Sequence, residues 1–181
     1  MHRQTIAAAM LASLTGAAAQ AELPTCDAFV TRLRAAAQVL TFPLSRVRIE
    51  RNPYVIDYEA YWVSYLYAGD VEWMGGFSCE EGRVVDYQMF FDNYDTGREP
   101  SPLSPQDVRA WHMVSAAVYA FTGWPARQVL DAARNLVDNR PHMAIGPSAE
   151  APLSDDALIS VGYIDVIIDT NRPLPTTTGR R

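Results

Sequence analysis

Residues 60–91 read AYWVSYLYAGDVEWMGGFSCEEGRVVDYQMFF, and their alternation decides the fold class. Tyr61, Val63, Tyr65 and Tyr67 alternate with Trp62, Ser64 and Leu66. Gly69-Asp70 marks a turn, after which Val71, Trp73, Gly75, Phe77 and Cys79 alternate with Glu72, Met74, Gly76 and Ser78. Glu80-Glu81-Gly82 makes a second turn, and Val85, Tyr87, Met89 and Phe91 then alternate with Asp86, Gln88 and Phe90. Successive side chains of a strand point to opposite faces. Period-two runs joined by short turns therefore predict a three-stranded antiparallel meander. Gly75-Gly76 in mid-strand predicts a bulge or a close approach by another segment.

Upstream of the meander, Leu44 to Glu50 sets Arg46, Arg48 and Glu50 against Val47 and Ile49, a further strand. Residues 51–59 fit either a turn or another strand. Thr25-Cys26-Asp27 opens a helix, with Thr25 suited to the N-cap and Asp27 to the positive end of the helix dipole. Phe29, Leu33, Ala36 and Leu40 give that helix one apolar stripe, and Pro43 ends it. Downstream, residues 92–104 read as a loop. Ser104-Pro105-Gln106-Asp107 then supplies an N-cap, a proline at the first helical position and a first-turn acid. Val108, Trp111, Val114, Val118 and Phe121 line a helix running to Thr122, and Gly123 stops it. Pro125 starts another, with Val129, Leu130, Ala133, Leu136 and Val137 inward, so the pair is predicted to form an antiparallel helical hairpin.

Residues 138–156 read mostly as loop, with a brief strand at Met143 to Ile145. Ala157 to Thr170 reads as one strand, apolar on both faces and therefore central. Residues 171–181, with two prolines and three consecutive threonines, read as a disordered tail. The sum is a two-layer α+β fold in one domain, residues 22–170. Its antiparallel sheet, a three-stranded meander plus a C-terminal central strand, packs against an N-terminal helix and a helical hairpin.

The first 21 residues read as a secretory signal peptide. His2 and Arg3 precede an apolar run from Ile6 to Ala19, and Ala19-Gln20-Ala21 offers small residues at a peptidase site before Glu22. The run spans roughly 21 Å as a helix, short of a bilayer core of about 30 Å. No twin-arginine pair precedes the run, and no lipobox cysteine sits at the cleavage point. The expected location is thus periplasmic or secreted, with no integral membrane segment after cleavage. Loss of Arg3 leaves 14 of the 15 basic residues against 21 acids, a balance that argues against nucleic acid and anionic membranes. Every basic residue is Arg, which excludes a Schiff-base lysine and the lysine of a phosphate-binding loop. Cys26 and Cys79 are the only cysteines, 53 positions apart, and in an oxidising compartment they are expected to form a disulfide. On the chain-entropy account such a bridge stabilises by about 4 kcal/mol. It would tie the first helix to the sheet.

Specific catalytic or metal motifs are absent, and no cofactor is implied. His112 and His142 are the histidines left after cleavage; His112 sits mid-helix beside Trp111 and Met113, with Ser115 three positions on. That spacing is ordinary helical adjacency, without a G-x-S-x-G elbow. Asn93, Asp95, Gly97 and Glu99 place oxygen groups at alternate positions but fail the calcium-loop register. Asp165 and Asp169 are four apart on a strand, about 13 Å, too far for a glycosidase carboxylate pair.

The unusual feature is aromatic density: 12 of the 19 aromatic residues fall between Tyr54 and Tyr94. A two-layer fold covers one face of its sheet. With Trp62 and Leu66 toward the helices, Tyr61, Tyr65 and Tyr67 would line the open side, where flat rings with polar tips suit a protein or glycan partner. Cross-strand tyrosine pairing that only stabilises the sheet is the other reading. The sequence thus points to an exported, non-catalytic binding domain of unknown partner, for instance an envelope protein or an inhibitor. A small secreted hydrolase using His112 is the alternative.

Overall fold

Alternating runs become strands and striped runs become helices. The computed structural model describes residues 22–42, 44–67, 72–90, 105–141, 146–163 and 165–170. In chain order the elements are α1 (Cys26–Val39), β1 (Leu44–Arg51), β2 (Glu59–Tyr67), β3 (Glu72–Glu80), β4 (Arg83–Phe90), α2 (Pro105–Thr122), α3 (Ala126–Asp138), β5 (Ala149–Ser154), β6 (Ala157–Val161) and β7 (Asp165–Asp169). The strands form one antiparallel sheet in the order β1-β2-β3-β4-β7-β6-β5. The meander is β2-β3-β4, and β7 lies inside the sheet between β4 and β6.

Two parts of the C-terminal reading are corrected. Residues 157–170 are not one strand but the hairpin β6–β7. The Gly162 N–H donates to the Asp165 carbonyl at 2.9 Å, and with no side chain of its own Gly162 leaves room for the Asp165 carboxylate beside it. Second, β5 occupies residues that read as loop. It is an edge strand, where Pro152 is tolerated because one side of the strand needs no ladder donor. The segments read as a signal peptide at 1–21, a loop at 92–104, a brief strand at 143–145 and a tail at 171–181 lie outside the described residues.

The helices form the second layer. Thr25 Oγ1 accepts from the Ala28 N–H at 3.2 Å and caps α1. The stripe Phe29, Leu33, Ala36 and Leu40 is buried, and the Phe29 ring sits 5.0 Å from Phe77 of β3 and 5.8 Å from Tyr87 of β4. Helix α2 packs against both α1 and α3 and is buried along most of its length. Gly123, at φ +65°, ends it, while Arg32 Nη1 reaches over from α1 to the Phe121 carbonyl at 3.2 Å. Cys26 and Cys79 are joined, their Cα atoms 6.2 Å apart, so the first turn of α1 is fixed to β3. No helix among the described residues is long and apolar enough to cross a membrane.

The glycine pair marks a close approach. A Cβ on Gly75 would lie 2.1 Å from the Gln88 carbonyl oxygen, and one on Gly76 would lie 2.6 Å from that of Tyr61. The bulge falls nearby instead, where the β3–β4 register shifts between Ser78 and Cys79. That extra residue moves Val84, rather than Val85, into the core beside Cys79.

Candidate functional site

Strand parity decides which aromatics meet solvent. Across β2 and β3, Tyr61 pairs with Phe77, Val63 with Gly75 and Tyr65 with Trp73, while Trp62 pairs with Gly76 and Ser64 with Met74. The odd-numbered set carries Cys79, whose partner Cys26 lies on α1, so this set faces the helices. The expected facing of β2 is therefore inverted. Tyr65 is 0% exposed, and its hydroxyl lies 3.4 Å from that of Tyr87 inside the core. Burial pushes the Tyr87 phenol well above its ordinary value. Tyr61 is half-buried against the same core and stacks on Phe77 at 4.8 Å, with its hydroxyl donating to Glu59 Oε2 at 3.0 Å. Desolvation, then Glu59, raises its pKa. Tyr67 ends β2 opposite Leu44, and its side chain lies outside the described residues.

The open face carries the even-numbered set. Trp62 is 44%, Met74 59% and Phe90 47% exposed, an unusual load of large apolar groups on one side of a sheet. Between them lies a groove of about 510 Å³ with a mostly apolar lining, to which Ser78, Asp86 and Gln88 add polar groups. Gly76, paired with both Trp62 and Gln88, has no side chain to fill the space between them. The Ser78 N–H donates to Asp86 Oδ1 at 2.9 Å, which fixes that carboxylate beside the groove. A smaller depression of about 260 Å³, bordered by Arg48, Glu50 and Ser64, adjoins Trp62.

The connection from β1 to β2 adds a rim. Asn52 donates its N–H to the Ala60 carbonyl at 2.8 Å, and its Oδ1 accepts from the Tyr54 N–H at 3.0 Å, an Asx turn that closes the loop. The Tyr54 ring stands 6.0 Å from that of Trp62. Ile56 and Tyr58 project from the same loop into solvent.

His112 lies elsewhere. It is 5% exposed on α2, with the Phe42 ring 4.1 Å from its own and the Trp111 ring 5.4 Å away. Burial lowers its pKa to about 4. Ser115 Oγ donates to the Trp111 carbonyl at 2.7 Å, the usual use of a serine inside a helix. Among the described residues no group of three His, Cys, Asp or Glu side chains is placed to hold a metal ion. His142 lies outside them.

Sequence reasoning missed Trp62, Met74, Phe90 and Gln88 as a group, because β2 has aromatics at both parities. The signal that resolves it is Cys79: a residue bridged to a helix must share the helix side with every side chain in its own phase. Comparison with protein families, curated proteins and solved structures finds no match.

Proposed function

We propose that the chain is an exported, non-catalytic binding domain, periplasmic or secreted, that receives a protein partner on the open face of its sheet. The observation that carries this reading is the exposed cluster of Trp62, Met74 and Phe90 around a mostly apolar groove, with Ile56 and Tyr58 on the adjoining loop. Aromatic and methionine side chains are enriched at protein interfaces, and aliphatic groups such as Ile56 favour a protein over a glycan. The disulfide and the leader-like first 21 residues support export. A buried His112, flanked by two rings and kept neutral, lends the hydrolase alternative no support.

The test is capture of partners from envelope extract by the wild type and by a Trp62→Ala, Phe90→Ala double variant with an unchanged unfolding midpoint. A protein recovered by the wild type and lost by the variant is the expected result. Equal recovery of every partner would remove the open face from consideration. Loss of a polysaccharide instead would move the reading to a glycan.

A further inference from the structure

We propose that β1 is an interface through which two copies of this chain pair edge to edge, continuing one antiparallel sheet. Among the described residues β1 is terminal in the strand order, and Val47 and Ile49 remain only half-buried although they face the helix layer. Asn52 donates to Ala60, and the β1–β2 pairing runs in step from Arg51↔Tyr61 to Arg46↔Leu66. In an antiparallel ladder the bonding direction alternates. Arg48 and Glu50 therefore turn their backbone groups to β2, and Val47, Ile49 and Arg51 turn theirs outward along the edge.

The side chains of this edge are complementary to themselves. About a twofold axis at Ile49, perpendicular to the sheet, Ile49 meets Ile49 of the second copy and Val47 meets Arg51. Arg48 meets Glu50 twice, once on each side of the axis. These contacts fall at non-hydrogen-bonded positions, where facing side chains come closest. Within one chain Arg48 Nε already lies 3.8 Å from Glu50 Oε1, so pairing joins two arginines and two glutamates of alternating sign.

The charges also select the register. A slip in one direction sets Arg48 against Arg48 between two Arg46–Glu50 contacts, and a slip in the other sets Glu50 against Glu50. Both juxtapose like charges. The opposite edge does not offer the same surface: β5 is interrupted by Pro152 and by a register shift before Ser154. Because the axis is perpendicular to the sheet, both open faces would lie on the same side of the pair. The pairing does not depend on what that face binds.

Sedimentation equilibrium of the oxidised protein over a concentration series tests this. A reversible dimer is expected for the wild type. Glu50→Arg should weaken association by about 100-fold or more, and adding Arg48→Glu to it should restore the dimer. Ile49→Pro, which removes an outward N–H and no bond to β2, should yield a folded monomer. Trp62→Ala with Phe90→Ala should leave the dimer intact. Three results would each overturn the proposal: a monomer at every concentration, a dimer indifferent to both Glu50→Arg and Ile49→Pro, or a dimer lost with the Trp62 and Phe90 substitutions. The charge pair keeps the test sound should Ile49→Pro fail to fold.

Discussion

On the covered face of the sheet Val63, Tyr65, Phe77, Tyr87 and Met89 are sealed beneath the helices, whereas one residue along the same strands Trp62, Met74 and Phe90 stand in water. The two sets differ little in hydrophobicity. What separates them is the layer opposite: Phe29 and its helix meet one set, and no helix among the described residues packs on the other. Substitutions on the two faces should therefore part cleanly, with stability lost on one side and recognition on the other.

The largest expected effect is on the covered side. Phe29→Ala removes a wholly buried ring that touches both Phe77 and Tyr87, and urea unfolding should show a loss of about 3–5 kcal/mol. A midpoint close to wild type would mean that α1 does not seal this face. Next comes the bridge from α1 to β3. Cys26→Ala with Cys79→Ala releases a 53-residue separation and should cost up to about 4 kcal/mol, read in the same unfolding curves.

His112 gives a third, pH-dependent effect. Its folded pKa of about 4 lies below the unfolded value near 6.5, so the unfolded chain takes up the proton first as pH falls. The stability that its neutral form contributes is complete above about pH 6.5 and drains away down to about pH 4. The expected loss is about 2–3 kcal/mol. His112→Gln cannot titrate and should lack this part of the slope in urea curves taken at each pH. The smallest effect belongs to the open face: Trp62→Ala and Met74→Ala should each shift stability by no more than about 1 kcal/mol. A larger loss there would mean that this face is also core.

Much of the fold was legible because period two and period 3.6 leave distinct marks. The β2–β3–β4 meander, the α1 stripe and the Thr25 cap are each written in a handful of residues. The β6–β7 hairpin was not legible, since Val161, Tyr163 and Ile164 flank Gly162 and disguise its turn as a continuous apolar run. Likewise β5 reads as loop, because Pro152 and small residues are compatible with an edge strand but do not announce one. The site was half legible. Aromatic density marked the strands that carry the candidate face, but a strand with rings at both parities does not say which side is covered, and only its phase relative to Cys79 does.

Ahead of α1, residues 22–25 are laced to the turn between β3 and β4. Val84 donates to the Pro24 carbonyl at 3.1 Å, Cys26 to that of Gly82 at 2.9 Å, and Arg83 reaches the Leu23 carbonyl and the Glu22 carboxylate. A segment running ahead of a helix usually wanders unless something ties it down. A spin label or fluorophore coupled at position 22 would thus tumble with the whole sheet, turning this short segment into a gauge of molecular orientation.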